Sequence, residues 1–380
     1  GVSADAERGP ITLAEKILAL LGEGRFTATY KFAVLLGLID LCLEKTSQSG
    51  DAPDKITTRQ LAEKVVEIYW PHTAPYRTGR TRLVLRQSGG GRDTQAEILS
   101  AIERFRERSA PDPSAPLARA RAHAPAGFER LVHFVEWKLI QMPLPRVQVM
   151  GAQEDRFLYE INWDPKVRKG DVTRYQKDGS GPFDNRILLK PGVGEHLVRL
   201  NGLLRPLIQR QWTLLVAQMN RLEETRLEEF LFGADRIPTD PVRPGLQELQ
   251  RDRCFYCERP LRADVAYLRP QVDHFIPWAR YPDNDIENLV VSHERCNSYK
   301  RDFLASGEHV ERWRTFTDPA APHGRERVEI ARAANWATDP ERTLGVARGI
   351  YLSLPEDARL WVRRRDFEVI DRPTVARALA

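Results

Sequence analysis

The sequence predicts an α+β chain that is mostly helical. It would comprise a helical N-terminal module, a middle α/β region, and a C-terminal domain of two strands and a helix with a helical extension. Three observations predict this. Apolar residues recur at helical spacing along most of the 380 residues and alternate as in strands in only a few short segments. Hydrophobic residues make up 42% and charged residues 29%, globular values that exclude disorder and collagen-like repeats. Three of the four cysteines lie between residues 254 and 296, which marks a compact segment with chemistry of its own.

Residues 11–23 carry apolar positions at helical spacing, with Thr12 as candidate N-cap. Thr29 is placed to cap a second helix, Tyr30 to Glu44, whose apolar face is broad enough for burial. Polar residues from Thr46 to Asp54 read as a loop. Thr57 or Thr58 then opens a third amphipathic helix that ends before Pro71. Three short helices of this kind form either a helix-turn-helix or a plain bundle.

An aromatic–basic patch follows: Tyr69, Trp70, His72, Tyr76, Arg77, Arg80, Arg82 and Arg86, then glycines at 89–91. Two readings stand side by side. The aromatics could stack on bases while the arginines hold phosphates. Equally, a proline-kinked helix end could plug the core beneath it with those rings.

Residues 94–108 read as a charged surface helix, 109–127 as an Ala- and Pro-rich linker, and 128–142 as a helix-to-strand region. Segments 156–163 and 186–190 alternate as strands do. A long helical stretch runs from about Gly194 to Phe232 with an interruption at Pro206, and three prolines between Ile237 and Pro244 mark a boundary. Beyond Phe303 the chain turns helical again, with strand-like pieces near 349–354 and 359–370. The expected division is therefore a module at 1–108, a linker at 109–127, a middle region at 128–240 and a C-terminal domain at 241–380.

The net charge is +5, a mild basic excess. Residues 51–200 hold 25 Lys and Arg against 19 Asp and Glu, whereas residues 201–380 hold 28 of each, so the surplus lies in the first half. A basic first half suits nucleic acid, and it also suits an arginine-rich composition whose charges are merely solvated. The longest apolar run, Phe32 to Ile39, stops at Asp40, far short of the ~20 residues of a membrane span. Gly1–Asp5 do not read as a secretory signal, and clustered cysteines without one point to metal rather than disulfides, so a reducing cytoplasmic setting is expected.

The chemistry concentrates in residues 251–303. Cys254-x-x-Cys257 and His293-x-x-Cys296 have the spacing of a closed four-ligand zinc site. His293 is the weaker member; as a surface histidine it would leave a three-ligand site or none. Between the two pairs lie Asp273-His274, Asn288, Asn297 and Lys300. QVDHFIP and ENLVV read as strands and CNSYKRDF as a helix, which would gather Asp273, His274 and Asn297 at one concavity.

These residues, with Val272-Asp273-His274-x-x-Pro277 and Glu287-Asn288-Leu289-Val290, resemble the HNH endonucleases of the ββα-metal superfamily, zinc-knuckle subgroup. The resemblance covers about 55 residues. His293 stands where that subgroup usually has cysteine. Asn297 stands where the family's name places a second histidine, and the usual glycine pair after the proline is replaced by Trp278-Ala279-Arg280-Tyr281-Pro282.

The resemblance implies a metal-dependent DNA endonuclease. His274 would be the general base, Asp273 and Asn297 the ligands of a catalytic Mg²⁺ or Mn²⁺, and Asn288 the brace of the loop. A structural Zn²⁺ would sit on Cys254, Cys257, His293 and Cys296. Lys300, and less directly Arg280 and Arg301, would touch phosphate, with Arg77, Arg80, Arg82 and Arg86 as further DNA contacts. The domain layout suggests restriction or anti-phage defence, with the N-terminal region selecting a sequence or modification. The alternatives are a non-catalytic zinc-containing nucleic-acid-binding protein and a nuclease subunit of a larger complex. The oligomeric state, a homodimer or a defence assembly, stays open.

Overall fold

A computed structural model describes residues 9–22, 28–89, 94–223 and 226–380. Helices make up 54% of it, so the mostly helical α+β expectation holds. The chain divides into two compact units. Unit 1 comprises Gly1–Cys42 and Pro53–Arg236; unit 2 comprises Leu43–Ala52 and Ile237–Ala380. Glycines 90 and 91 of the aromatic–basic patch lie outside the described residues.

Unit 1 contains α1 (Pro10–Gly22), most of α2 (Tyr30–Glu44), β1 (Lys55–Thr57), α3 (Thr58–Tyr69), β2 (Tyr76–Thr78), β3 (Thr81–Leu83), α4 (Glu97–Ser109), α5 (Leu117–His123), α6 (Pro125–Gln141) and α7 (Pro143–Arg146). β4 (Val149–Met150), β5 (Gln153–Glu154), β6 (Tyr159–Ile161), α8 (Lys169–Asp178), β7 (Arg186–Leu189), α9 (Val193–Asn220) and α10 (Leu227–Phe232) complete it. α3 starts where its sequence says it should. The Thr57 hydroxyl accepts from the Gln60 amide, and the Gln60 side chain accepts from the Thr57 amide, a capping box. Thr29 precedes α2, but its hydroxyl is bonded to Gln87 Oε1 at 2.6 Å and to Tyr69 Oη at 2.7 Å.

The linker reading of 109–127 is corrected. The stretch holds α5 and the start of α6, and Ala110, Ala115 and Ala120 are buried. Small apolar residues there serve close packing, which composition alone cannot tell from a flexible tether. Apart from residues 43–52 and 237–240, which belong to unit 2, the separate modules expected at 1–108 and 128–240 likewise fall in one unit. The antiparallel sheet β1–β7–β6 shows why, since it pairs Ile56 with Ile187 and Ile187 with Ile161. α6 is helical throughout residues 128–141, and α9 runs through Pro206.

The rings of the aromatic–basic patch follow the core reading. Tyr69, Trp70 and His72 are buried, and Tyr69 and His72 pack edge-on against Trp212. Their polar atoms are satisfied inside: His72 Nε2 donates to the Leu231 carbonyl, while Gln87 donates to His72 Nδ1 and accepts from Trp212 Nε1.

Unit 2 contains α11 (Arg243–Leu249), β8 (Pro270–His274), β9 (Leu289–His293), α12 (Glu294–Lys300), α13 (Gly307–Thr317), α14 (Pro322–Ala333), α15 (Pro340–Leu352), β10 (Arg359–Arg363), β11 (Asp366–Val369) and α16 (Arg372–Ala378). β8 and β9 pair antiparallel, with Val272 opposite Val291 and His274 opposite Leu289, and α12 follows directly. This is the expected strand–strand–helix order. Leu289 and Val291 belong to a core with Val242, Leu246 of α11, Ile286, Ala331 of α14 and Trp336, with Val272 packed on it. α15 lies so close to the Leu43–Ala52 segment that a Cβ on Gly345 would sit 2.0 Å from the Glu44 carbonyl oxygen, so only glycine fits there. No helix among the described residues is long and apolar enough to cross a membrane.

Candidate active site and metal centre

The metal centre is built from a knuckle and a helix start. After α11 the chain turns tightly: the Cys254 amide donates to the Arg259 carbonyl, and Glu258 takes a left-handed φ of 61° while its amide donates to the Cys254 carbonyl. This brings Cys254 and Cys257 together. His293 ends β9 and Cys296 lies in the first turn of α12. The donor atoms of all four residues lie within 4.8 Å of one another.

The His293 tautomer is set by its neighbour. Its Nε2 is 2.8 Å from the Pro260 carbonyl oxygen, which can only accept, so Nε2 carries the proton. Nδ1 then offers its lone pair and faces Cys257 Sγ at 3.2 Å and Cys296 Sγ at 3.9 Å. An imidazole held through its outer nitrogen is the usual arrangement of a histidine metal ligand. The three thiols cannot all ionise unaided. Cys257 is held below the usual thiol range by bonds from Cys254 and Cys296; Cys254 is raised by its bond to Cys257, and Cys296 by its bonds to Cys254 and Cys257. Three sulfurs and one imidazole nitrogen in this space fit a tetrahedral ion such as zinc.

The second group lies on β8, β9 and α12. Side chains alternate along β8, so Gln271 and Asp273 share a face and His274 leaves from the other. Asn297 and Lys300, three apart on α12, meet that first face. Asn297 Nδ2 donates to Gln271 Oε1 at 3.1 Å, and Lys300 Nζ lies 3.1 Å from Asp273 Oδ2. The Tyr256 hydroxyl donates to the same Oδ2 at 2.5 Å. Burial first, and the Asp273 charge second, push the Tyr256 phenol well above its ordinary range, so it remains a neutral donor. Asp273 Oδ1 accepts no hydrogen bond among the described residues.

His274 points to the loop after β8. Its Nε2 is 2.7 Å from Asn284 Oδ1, and its ring packs 5.1 Å from the Trp278 ring. With the amide oxygen accepting, Nε2 carries the proton and the basic lone pair is on Nδ1.

Asn288 is fully buried and holds the loop's backbone. Its Oδ1 accepts from the Ile276 amide at 2.7 Å, and its Nδ2 donates to the carbonyls of Ile276 at 3.1 Å and Asp283 at 3.0 Å. Around it lie charged anchors. Arg327, fully buried, donates to the carbonyls of Ile286 and Leu289, and burial pulls its pKa down to about 10. Asp285 pairs with Arg342 at 2.8 Å. Glu287 accepts from the Thr338 hydroxyl and the Asp339 amide; burial, then the nearby Asp285 charge, raises it to about 7. Asp283 is raised by burial to about 6.

The structure thus brings Asp273 together with Lys300, and Asn297 with Gln271, while His274 and Asn288 each grip the same loop from different sides. Lys300 is corrected. It is 0% exposed and engaged by Asp273 and by the His274 carbonyl, so it is a buried partner of the acid rather than a phosphate contact. Arg301 is exposed, whereas Arg280 is partly buried and its pKa is lowered by burial. In unit 1, Arg77, Arg80 and Arg82 are exposed on the β2–β3 hairpin, but Arg86 is half-buried with its Nε unbonded. Sequence reasoning missed Tyr256, Gln271 and Asn284. Gln271 could have been found from the strand period, two residues before Asp273; Asn284 and Tyr256 meet their partners through loops and carry no such signal.

A family model described as HNH endonuclease matches residues 254–306, from the first cysteine of the knuckle to just beyond α12. No curated protein and no solved structure matches the chain significantly.

Proposed function

From the premise that residues 254–306 form an HNH domain, we propose that the chain is a metal-dependent endonuclease that hydrolyses DNA phosphodiester bonds. The observation that carries the reading is the Asp273-His274 pair at the end of β8. Its imidazole is fixed by Asn284 and its loop is braced by Asn288. In-line displacement needs a base on one side of the phosphorus and charge stabilisation on the other. His274 is the candidate for that base, and Asp273 with Asn297 for the seat of that charge.

His274 Nδ1 takes the proton of the attacking water. Asn284 keeps the proton on Nε2, and Asn288 keeps the loop carrying Asn284 in place. Asp273 Oδ1 and the Asn297 amide oxygen are hard donors that would hold Mg²⁺ or Mn²⁺. When bound, such an ion supplies positive charge against the phosphorane-like transition state and the leaving oxygen. Cys254, Cys257, His293 and Cys296 would hold a zinc ion that ties the knuckle together and takes no part in cleavage. Zinc thiolates require reduced cysteines, which suits the cytoplasm.

Unit 1 would select the DNA. Arg77 and Arg82 lie directly opposite each other across the β2–β3 pair, with Arg80 at the turn, and none of the three has an ion-pair partner among the described residues. Like charges placed so cost about 0.2–1 kcal/mol, a cost that a bound phosphate reverses. A nuclease domain joined to a unit bearing such an arm supports a restriction or anti-phage role.

One observation favours a second reading. The Lys300 ammonium already neutralises Asp273, as it would in a non-catalytic zinc-containing nucleic-acid-binding protein or in a nuclease subunit that waits for a partner. A plasmid-nicking assay decides. Cleavage that needs Mg²⁺ or Mn²⁺ supports the enzyme; binding without cleavage in any divalent metal supports the alternative.

A further inference from the structure

Unit 2 carries an open groove of about 570 Å³ that Asp273, His274, Asn288 and Asn297 do not line, although Cys257 and Cys296 of the metal centre do. Its walls come from three places distant in sequence: Arg259 from the knuckle, Arg295 from α12, and Arg363 and Arg364 from the end of β10 and the turn after it. Tyr256 and Trp361, both buried, form its floor.

The charge balance is cationic. Glu258 and Glu308 also line the groove and share a single partner, Arg312, at 3.3 Å each, and Asp366 is 3.7 Å from Arg363, so with Arg312 counted five arginines meet three acids. Arg259 and Arg364 are exposed and have no ion-pair partner among the described residues. Arg295 is held over the Tyr267 ring at 5.1 Å, an arrangement that orients a guanidinium without neutralising it. Tyr299 lies in the same lining and is 36% exposed.

We propose that this groove binds the phosphodiester backbone of nucleic acid flanking the cut. Arginines that converge from separate elements and outnumber the acids beside them select a polyanion. An exposed tyrosine beside them favours nucleic acid over an acidic peptide, because it offers a face to a sugar or base. The groove also adjoins the chemistry, since the Tyr256 ring on its floor sends its hydroxyl to Asp273. A phosphate held there is one side chain from the acid. The nucleotide ligand is taken from the nuclease reading, and the arginine geometry supplies the rest.

The test reads binding apart from cutting. The double variant Arg259→Ala/Arg364→Ala is made in the full-length His274→Ala chain. Affinity for a fluorescein-labelled 20-base-pair duplex, about one helical turn on either side of a central cut, is measured by anisotropy across a salt series. Each lost phosphate contact lowers the slope of log K against log salt by about 0.9, so the pair should lower it by about 1.8 and weaken binding at every salt concentration. The melting temperature should not change, because neither side chain makes an ion pair. Arg332→Ala, exposed on α14 outside the groove lining, should leave slope and affinity as they were.

Unchanged slope and affinity in the double variant would overturn the proposal. So would arginine-dependent binding of polyglutamate with none of DNA. A chain that cuts DNA while the double variant binds normally defeats the groove alone. A chain that binds through these arginines but never cuts defeats the nuclease reading alone.

Discussion

Asn288→Ala should be among the most damaging substitutions in unit 2. The side chain is 0% exposed and makes three hydrogen bonds, all to backbone: from the Ile276 amide, and to the carbonyls of Ile276 and Asp283. Each bond contributes about 1 kcal/mol net, and a buried backbone group left without a partner costs about 1–3 kcal/mol. The expected loss is therefore about 3–6 kcal/mol, against a typical domain stability of about 5–15 kcal/mol. Asn288→Asp keeps the acceptor for the Ile276 amide but aims a carboxylate at two carbonyl oxygens, so it should not restore stability. Urea unfolding gives the total. Hydrogen exchange of the peptide spanning residues 270–290 gives the local effect, with the Ile276 amide losing protection first. Because Asn284 follows Asp283, the His274 ring loses its fixed partner, and cleavage should fall about 10²-fold in whatever fraction stays folded. A loss under about 1 kcal/mol, with Ile276 still protected, would refute the idea that this side chain holds the loop.

Further outcomes follow from other residues. Cys254→Ser should lower bound zinc below one ion per chain and destabilise unit 2, because metal binding in such a knuckle is folding free energy; a zinc-free variant with unaltered melting would contradict this. Glu287 has an ordinary pKa of 4.5 and a folded value of about 7. Between these values the folded state keeps a proton that the unfolded state has released, so its contribution to stability falls by roughly 3 kcal/mol as pH rises through the window. Asp283, raised from 3.8 to about 6, acts in the same direction. Glu287→Gln should flatten the pH dependence of urea unfolding between pH 5 and 7.5, and an unchanged pH slope would count against the buried-acid account. In unit 1, Arg205→Met strands Asp40, its buried partner at 2.5 Å, and should cost about 3–5 kcal/mol; replacing both with apolar residues should recover most of that, as read by thermal unfolding.

Much of unit 2 was legible in the sequence because its signals are local. Cysteine and histidine spacing located the metal cluster, and two short apolar runs located β8 and β9. The burial of Lys300 was not legible. A lysine closing a charged helix reads as solvated, and only the approach of α12 to β8 turns it inward onto Asp273. Unit 1 was legible helix by helix but not in its assembly. Its sheet joins residues 55–57 to 186–188, a pairing more than a hundred residues apart that no local period encodes. The 109–127 stretch misled for a related reason, since alanine and proline serve tight helix packing as readily as a tether.

The central claim is that His274 is the base of a phosphodiester hydrolase. The most direct measurement is the nicking rate of supercoiled plasmid in Mg²⁺ or Mn²⁺ by the full chain and by His274→Ala, with DNA affinity measured alongside. The rate should fall by about 10²–10⁴-fold while affinity changes little. Undiminished nicking by His274→Ala, or no nicking by the unmodified chain in either metal, would contradict the claim.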